Sequence, residues 1–419
     1  MTPAKARRFY RLFFCGDSMA KDLIVVESPA KVKTIKKFLG NKYAVEASVG
    51  HVRDLPGRSL GVDEAHDFAP QYEIIPGKEK VVETLRAAAA KADTVYLAPD
   101  PDREGEAIAW HVAELLRPQN ANLKRIQFNE ITARAVQEAI AHPRELQKDL
   151  FDAQQTRRIL DRLVGYKISP LLWAKVKRGI SAGRVQSVAL RLIVERERER
   201  LAFTPEEYWL FDAHLQGKTP PEFKAELYKV DGKKPVLDSA AATEALTARI
   251  NGLPFAVSAV EEKNRSKEPP PPFITSTLQQ NANQRLGYSA KRTMNIAQRL
   301  YEGVDLGTRG TTALITYMRT DSVRVAEEAQ AAAKEYIIAR YGEDHYPPKT
   351  RFFKSKGGAQ DAHEAIRPVD VSISPEDVKD ALPPDQHQLY KLIWTRFMAS
   401  QMAAARYHDT TVDIENGPA

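Results

Sequence analysis

The chain of 419 residues contains a single cysteine, Cys15. One thiol supports neither an internal disulfide framework nor a cysteine-based zinc site, and such sparing use of cysteine is typical of the reducing cytoplasm. The sequence also lacks an apolar run of the ~18 residues that a membrane-spanning helix needs. It contains no Gly-x-x-x-x-Gly-Lys-Ser/Thr segment, so nothing indicates ATP hydrolysis by a phosphate-binding loop. These absences predict a cytoplasmic protein that does not act in a membrane.

Positive charge is in modest excess, because 62 Lys and Arg residues stand against 55 Asp and Glu residues, 62 − 55 = 7. This excess suits an anionic partner such as nucleic acid, although many soluble proteins carry a similar one. Hydrophobic residues make up 43% of the chain and charged residues 28%, a balance typical of globular proteins. The length predicts roughly two to four domains.

Both ends of the chain differ from its interior. Residues 1–20 are basic and contain no apolar run long enough for a signal-peptide core, so we predict a disordered extension with Met19 as the natural start. The last pattern, residues 409–414, is typical of a strand that is just beginning, and no closing element follows it. We interpret the C-terminus as a cut, and residues 404–419 as the start of a returning strand.

Residues 21–138 alternate strands and helices as a parallel α/β sheet does. An apolar strand ends at Glu27, and Ser28 and Pro29 have the residue types of a helix N-cap and a first helical position. A second strand, residues 94–98, leads into a loop rich in carboxylates and then into a helix expected over residues 107–116. Parallel strands end at one edge of their sheet, where clustered carboxylates raise one another's pKa unless a cation joins them.

Oxygen ligands at such an edge suit Mg²⁺, which keeps part of its water. The sequence therefore predicts a magnesium site, and an exposed acidic loop is the alternative interpretation. The expected ligands are Glu27, Asp100, Asp102 and Glu104.

The next segment, residues 139–202, is helical and basic. Four residues form the expected core stripe of its first helix: Ile159, Leu160, Leu163 and Val164. Basic residues interleaved with aromatic ones, next to a helix start made of small residues, can hold phosphates and stack single-stranded bases. A helical bundle with a basic surface is the alternative. The aromatic residues are Tyr166 and Trp173, and the basic ones close by are Lys175, Lys177 and Arg178. The helix start made of small residues is the segment Ser181, Ala182, Gly183, Arg184, Val185 and Gln186.

Beyond residue 203 the pattern changes twice. Residues 203–272 predict short alternating strands, the first at 208–213, with one helix, and the run from Pro269 to Pro272 predicts a stiff connector. Residues 273–403 are again helical, with helices expected at 275–286, 290–302 and 322–340. The fold class predicted from the whole chain is a multidomain α/β plus α protein.

Residues 314–322 carry the most suggestive chemistry. The apolar start predicts a buried strand, and the Thr-Asp-Ser run after Arg319 is typical of a helix N-cap. On a strand Tyr317 and Arg319 share a face, which sets a phenol beside a guanidinium. A tyrosine can be a covalent nucleophile, and a nearby cation favours its phenolate and counters the charge of a transferring phosphoryl group. A core tyrosine is the alternative interpretation.

Seven stretches taken in order resemble one known family, the type IA DNA topoisomerases. Three of them resemble its Toprim half: VVESPAK at residues 25–31, SVGHVRDLP at 48–56 and DPDREGE at 100–106. The other four resemble the rest of its catalytic core: SAGRVQ at 181–186, PFITSTLQ at 272–279, ITYMRTDS at 315–322 and HEAIRP at 363–368. Met318 favours the bacterial topoisomerase I branch, because the topoisomerase III branch typically has proline there.

The resemblance implies an architecture of four parts. These are a Rossmann-like Toprim sheet at residues 21–138, a helical DNA-groove portion at 139–202, a strand-rich arch at 203–272 that returns at 404–419, and a tyrosine domain at 273–403. The family continues beyond this chain, so the sequence leaves open whether the chain completes strand passage.

The resemblance also implies roles for particular residues. Tyr317 would attack a DNA phosphodiester to give a 5′-phosphotyrosine, while Arg319 holds the phosphate and Lys31 adds positive charge. Glu27 would donate a proton or bind metal, and Asp100, Asp102 and Glu104 would hold the Mg²⁺ used in rejoining. His363 and Gln298 would support the tyrosine and the phosphate. Residues implied to contact or frame DNA are His51, Arg157, Arg158, Asp161, Tyr166, Trp173, Arg319 and residues 181–186.

The implied activity is ATP-independent relaxation of negatively supercoiled DNA by a monomer associated with the nucleoid. A truncated fragment that binds or cleaves DNA without strand passage is one alternative, and another Toprim enzyme, such as a primase or nuclease, is a second. One departure from the family pattern is Pro99, which stands where many relatives have threonine.

Overall fold

The computed structural model describes residues 21–307, 310–353 and 363–417. They form two compact units, one made of residues 21–181 and 270–402 and the other of residues 182–269 and 403–417. Each unit is therefore built from two separate stretches of chain. The N-terminal extension predicted over residues 1–20 lies outside the described residues.

The first stretch of unit one folds around a four-stranded parallel sheet, as the sequence predicts. Its elements are β1 (Leu23–Val26), α1 (Pro29–Leu39), β2 (Ala44–Ala47), β3 (Arg53–Asp54), β4 (Val62–Asp63), β5 (Ala69–Pro70), β6 (Glu73–Ile74), α2 (Glu79–Ala89), β7 (Val95–Ala98), α3 (Arg103–Leu116), β8 (Leu123–Arg125), α4 (Ala133–Ala141) and α5 (Lys148–Lys175). The strand order is β2-β1-β7-β8, and Val26 of β1 lies opposite Ala98 of β7.

The side chains of β1 alternate between two hydrophobic cores. Leu23 and Val25 belong to the core that contains α2 and α3, whereas Ile24 and Val26 belong to a larger core on the other face. A sheet covered on both faces needs apolar residues at every strand position, which explains the unbroken apolar run. The larger core also contains Tyr317, so one face of the sheet supports the tyrosine region.

Two helices of this sheet begin at polar caps. The Ser28 hydroxyl accepts a hydrogen bond from the Lys31 amide at 3.4 Å, and Pro29 takes the first helical position, as predicted. Helix α3 begins at Arg103, although the sequence suggested a start at residue 107. The reason is Asp102, whose side chain caps the helix by accepting from the Gly105 amide at 2.7 Å.

The second stretch of unit one is mainly helical. Its elements are α8 (Thr275–Leu286), α9 (Ala290–Glu302), β12 (Val304–Asp305), β13 (Thr311–Thr312), α10 (Glu327–Tyr341), a short 3₁₀ helix (Glu343–His345) and α11 (Pro384–Gln401). The bounds of α8 and α9 are those predicted from the sequence.

The apolar start of residues 314–322 does not form the predicted strand, and the helix predicted from residue 322 does not begin there. Only one isolated bridge, between Ile315 and Pro368, is present, and α10 begins five residues later. The amides of this segment donate to three different parts of the chain: Leu314 to Leu300, Thr316 to Arg367 and Tyr317 to Asn129. A segment that changes partner at each step forms no regular ladder, although it is buried as a strand would be.

The polarity predicted for α5 also differs from what is observed. Leu160, expected in the core stripe, is exposed, whereas Arg162 is buried. The guanidinium of Arg162 donates to the carbonyl oxygens of Leu55, Pro56 and Ser59 at 2.7–3.2 Å. Part of the packing face of α5 is therefore polar, because Arg162 binds the carbonyl oxygens of an irregular loop, whereas Phe151 near the start of the helix stacks on Trp110.

Unit two contains α6 (Gln186–Ala202), β9 (Asp212–Leu215), β10 (Phe223–Glu226), α7 (Ala240–Ile250), β11 (Ala256–Lys267) and β14 (Ala405–Glu415). Strand β9 starts four residues after the position predicted for it. Strands β11 and β14 pair antiparallel along most of their length, with a register shift between Val257 and Ala259. Among the helices that the structure describes, none is long and apolar enough to cross a membrane.

Candidate active site

Two neighbouring strands deliver carboxylates to one edge of the sheet. Glu27 follows β1 and Asp100 follows β7, which lies beside β1 in parallel register. Burial, and then the negative charge of Asp100, raises the pKa of Glu27 to about 7. The two side chains are therefore near neighbours, as the sequence predicted, and Glu27 can hold a proton at neutral pH.

Asp100 is held by two buried groups. Its Oδ1 accepts from the ammonium of Lys31, which is 1% exposed, and from the hydroxyl of Tyr301 at 3.3 Å. The Lys31 ammonium also lies 5.3 Å from the centre of the Tyr301 ring. Sequence reasoning missed Tyr301, although it lies three residues after Gln298 and hence on a similar side of α9. Lys31 thus acts here as the counter-ion of an aspartate.

Tyr317 faces the same acidic loop. Its hydroxyl donates to Asp102 Oδ2 at 2.5 Å, and its ring lies edge-on to Tyr301 at 5.3 Å between centroids. The side chain is 3% exposed. Burial, followed by the charges of Asp100 and Asp102, raises the pKa of Tyr317 well above its ordinary value. In this closed arrangement the phenol is protonated and shielded from water.

Arg319 shares the side of Tyr317, as strand spacing suggested. Its Nη1 lies 3.9 Å from Asp102 Oδ2, and its side chain is 59% exposed. The charge is therefore next to the phenol but open to an incoming anion. His363 lies close by, with its Nε2 donating to the carbonyl oxygen of Pro101 at 2.7 Å and its ring 6.3 Å from that of Tyr317. The histidine thus contacts the backbone of the acidic loop.

Gln298 contacts a different part of the edge. Its Nε2 donates to Glu302 Oε1 at 2.9 Å, and the hydroxyl of Ser28 donates to the same oxygen at 2.7 Å. The backbone carbonyl of Glu302 also accepts from Thr34 Oγ1 at 2.8 Å. Gln298 therefore helps to join α9 to the start of α1, and this contact does not involve Tyr317.

Glu104 turns away from the other carboxylates. Its Oε2 accepts from Gln154 Nε2 at 3.0 Å and lies 3.4 Å from His51 Nε2. The hydrogen bond from His51 lowers the pKa of Glu104 despite partial burial. Within residues 21–307, 310–353 and 363–417, no three His, Cys, Asp or Glu side chains are arranged to hold one metal ion.

The chemistry of the edge nevertheless fits Mg²⁺. Glu27, Asp100 and Asp102 offer the hard oxygen donors that the ion prefers, and the raised pKa of Glu27 is that of crowded carboxylates. Asp100 is engaged by Lys31 and Asp102 by Tyr317, so both would leave these partners to bind an ion. The three carboxylates thus have the chemistry that the ion needs but are not grouped around one position in this closed arrangement, and the fourth predicted ligand, Glu104, contacts Gln154 and His51.

Four of the residues predicted to contact DNA, three of them on α5, line one cavity. His51, Arg157, Arg158 and Asp161 line a space of about 320 Å³. Arg158 forms a two-pronged ion pair with Asp54, with Nε to Oδ1 at 2.8 Å and Nη2 to Oδ2 at 2.5 Å. Arg157 and Asp161 are exposed. The cavity thus combines one fixed and one exposed arginine.

The aromatic residues predicted on this arm are held by backbone carbonyls. Tyr166 donates to Gly57 at 2.8 Å and accepts from Arg162 at 2.8 Å, and Trp173 donates to Ile180 at 2.6 Å. Both rings keep about half of their surface exposed. Ser181 ends this stretch of unit one, and the remaining predicted residues belong to unit two: Ala182, Gly183, Arg184, Val185 and Gln186.

Comparison with known proteins agrees with this combination of a Toprim sheet and a buried tyrosine. A family model described as DNA topoisomerase matches residues 145–419, and a Toprim domain model matches residues 22–131. The fold is similar to that of full-length topoisomerase I from Thermotoga maritima, with 44% sequence identity and a TM-score of 0.82 over 94% of this chain. This chain covers 63% of that protein. The chain belongs to the type IA DNA topoisomerase family, and its likeness is to bacterial topoisomerase I.

Proposed function

We propose that this protein cleaves one strand of DNA with Tyr317 and rejoins it, and so relaxes negatively supercoiled DNA without ATP. The observation that supports this most is the contact of the Tyr317 hydroxyl with Asp102, with Arg319 beside both groups. A nucleophile, a proton acceptor and a cation are thus grouped at this edge. The substrate is a single-stranded region of the duplex, and the protein works as a monomer on chromosomal DNA in the cytoplasm.

Cleavage starts from the closed site. The Tyr317 hydroxyl gives its proton to Asp102, and the phenolate oxygen forms a bond to phosphorus while the bond from phosphorus to the 3′-oxygen breaks. Arg319 offsets the charge that develops on the phosphoryl oxygens. Glu27, which is protonated up to about pH 7, donates its proton to the departing 3′-oxygen. The broken bond is conserved as a 5′-phosphotyrosine, so no ATP is required.

Rejoining reverses these steps. The 3′-hydroxyl returns its proton to Glu27 and attacks phosphorus, the bond from phosphorus to Tyr317 breaks, and the leaving phenolate takes back its proton from Asp102. Glu27, Asp100 and Asp102 are the residues that would hold Mg²⁺, which when bound would offset their charges beside the phosphate. Lys31 is the other cation of this edge and keeps Asp100 in place when no ion is present.

Binding of the strand is assigned to the α5 arm and to residues 181–186. Arg157 is exposed and Arg158 is fixed by Asp54, so they offer a mobile and a fixed contact for successive phosphates. Tyr166 and Trp173 present partly exposed rings on which bases can stack. His51 lies at the point where this arm meets the acidic loop, through Glu104.

The decisive experiment is to trap the covalent adduct. Wild-type protein and Tyr317→Phe are incubated with end-labelled single-stranded DNA and denatured, and the adduct is measured on a gel. We expect an adduct from wild-type protein only, carried on the 5′ side of the break. An adduct of equal yield from Tyr317→Phe would contradict the proposal. If neither protein forms an adduct, a fragment that only binds DNA or another Toprim activity remains.

A second experiment concerns the metal. The double substitution Asp100→Asn with Asp102→Asn should slow rejoining, so that adduct accumulates even with Mg²⁺ present. Relaxation at the wild-type rate by this variant would remove the metal role from the proposal. The same assay on supercoiled plasmid, run beside a protein of the full family length, tests whether this chain also completes strand passage.

A further inference from the structure

We propose that Arg125 is a positioning residue that sets the direction of the Asp100 carboxylate and thereby prepares the edge of the sheet for a divalent cation. This inference rests on the proposed function, because it concerns the metal used there in rejoining. Arg125 ends β8, the strand beside β7, and its side chain is 1% exposed.

The guanidinium lies inside the turn that the chain makes after β7. Its Nη1 donates to the carbonyl oxygens of Leu97 at 3.1 Å and Pro99 at 3.0 Å, and its Nη2 donates to that of Asp100 at 2.8 Å. A further bond reaches the carbonyl of Ile126 at 2.6 Å. One side chain thus binds two carbonyl groups of the acidic loop, those of Pro99 and Asp100, together with the carbonyl of Leu97 in β7, which also accepts from the Ile126 amide at 3.0 Å.

These contacts fix the orientation of Asp100. The carbonyls of Pro99 and Asp100 belong to the two peptide groups on either side of the Asp100 Cα atom. When both peptide planes are held, the two backbone dihedral angles of that residue are fixed, and so is the direction of its Cβ atom. Because Arg125 holds both carbonyls, the Asp100 Cβ atom stays directed to this edge while the carboxylate exchanges its partners here, Lys31 and Tyr301, for the ion.

Glu106 completes the arrangement. It is fully buried, its Oε2 accepts from Arg125 Nε at 2.9 Å, and its Oε1 accepts from the Gln147 amide at 2.7 Å, just before α5. A buried arginine needs such a partner, and the fork of the guanidinium lets one group serve the carboxylate and the loop together. Lysine has three donors instead of five and cannot serve all these acceptors.

The test measures metal binding directly. Mg²⁺ is titrated into DNA-free protein by calorimetry at pH 8, where Glu27 is ionised, for wild-type protein, Arg125→Lys and the control Arg367→Lys. Arg367 is also a buried arginine, with Glu130 and Glu364 as partners, but it donates to no carbonyl of the acidic loop. Circular dichroism establishes that each variant is folded.

We expect Arg125→Lys to weaken Mg²⁺ binding by about tenfold or more, as loss of a group that orients a metal ligand commonly does. The control should change it by less than about twofold, because distant sites act independently. Unchanged Mg²⁺ affinity in Arg125→Lys, or an equal loss in both variants, would overturn the inference. If Arg125→Lys does not fold, Glu106→Gln replaces it, with a loss of about twofold or more expected from the freed guanidinium and an unchanged affinity counting against the inference.

The adduct assay separates this inference from the proposed function. A wild-type protein that forms the Tyr317 adduct but binds no Mg²⁺ would overturn the role of Arg125 and leave the transesterification in place. A wild-type protein that forms no adduct but whose Mg²⁺ affinity falls in Arg125→Lys would support the role of Arg125 and contradict the proposed function.

Discussion

The acidic edge of the sheet and the α5 arm use charge in opposite ways. At the edge, Lys31 and Asp100 are buried partners, and Asp102 holds a buried phenol. On the arm, Arg157 and Asp161 are exposed to solvent. Bond making needs groups whose orientation is set before the substrate arrives, whereas a strand that must slide and exchange needs contacts that form and break easily. We propose that fixed charges serve bond making at the edge, whereas on the arm the exposed Arg157 binds the strand beside Arg158, which Asp54 holds in place.

Arg319 lies beside the acidic edge but is exposed like Arg157 on the arm. We expect its removal to have the largest effect on the rate of cleavage. Arg319→Ala should slow adduct formation about 100- to 1,000-fold, or about 3 kcal/mol, because one preorganised donor to the phosphate is lost. Its exposure predicts a change in stability of less than about 0.5 kcal/mol. Single-turnover cleavage and urea unfolding measure the two quantities. Arg324→Ala, at a similarly exposed arginine, is the control, and a slowing below about tenfold for Arg319→Ala would place the charge outside the reaction.

The second prediction concerns how tightly the acidic edge is packed. A Cβ atom on Gly105 would lie 2.0 Å from the carbonyl oxygen of Asp100, so Gly105→Ala must displace the loop. We expect a loss of about 1–3 kcal/mol in the free energy of unfolding, together with slower rejoining. The control is Gly165→Ala on α5, where nothing lies within 4 Å and alanine should stabilise the helix by about 0.5–1 kcal/mol. Equal effects at both sites would contradict the contrast between a fixed edge and an open arm.

The third prediction is a pH dependence. The folded protein holds a proton on Glu27 up to about pH 7, whereas the unfolded chain releases it near 4.5. Binding of this proton therefore contributes fully to the free energy of unfolding below pH 4.5, and the contribution is lost as the pH rises towards 7. Replacing Glu27 by glutamine should remove a fall of about 1–2 kcal/mol between pH 5 and pH 8 in urea unfolding. The control is Glu83→Gln, at an exposed position on α2, which should leave the fall in the free energy of unfolding unchanged. If wild-type protein and Glu27→Gln lose the same free energy between pH 5 and pH 8, burial does not raise the pKa of Glu27.

The smallest effect is expected on the arm. Arg157→Gln should weaken binding of single-stranded DNA a few-fold and reduce the slope of log affinity against log salt by about 0.7, the value for one lost phosphate contact. Stability should not change, because the side chain is exposed. Fluorescence anisotropy at several salt concentrations gives the slope. Arg191→Gln, which removes a surface pair with Glu195 on α6, is the matched control, and an identical slope in wild-type protein and Arg157→Gln would remove this arginine from the binding surface.

Local patterns in the sequence predict the edge of the sheet well. An apolar run that ends at Glu27, followed by Ser28 and Pro29, specifies strand, cap and helix by short-range rules, and the structure has all three. The parallel pairing of β1 with β7 then brings Glu27 and Asp100 together. Spacing along the chain likewise predicts that Tyr317 and Arg319 lie on one side, although no regular strand forms there.

What local patterns miss are side chains whose partners are distant in sequence. Arg162 resembles a surface residue of a basic helix until the loop at residues 55–59 is placed against it. Glu104 belongs by spacing with Asp100 and Asp102, but α3 starts early and turns it towards His51 and Gln154. Tyr301 and Arg125 are single residues without a motif, and only tertiary packing shows that they contact Asp100.

The pairing of β11 with β14 has a consequence for how the chain is made. Lys267 lies opposite Ala405, so residues 268–404 must be synthesised before the ribbon can close. At ribosomal speed this takes on the order of ten seconds, during which β11 is a long strand with an unpaired edge. Such an edge can pair with another chain. We expect the charged residues from the middle of β11 onwards to disfavour that pairing until its own strand is made: Glu261, Glu262, Lys263, Arg265 and Lys267.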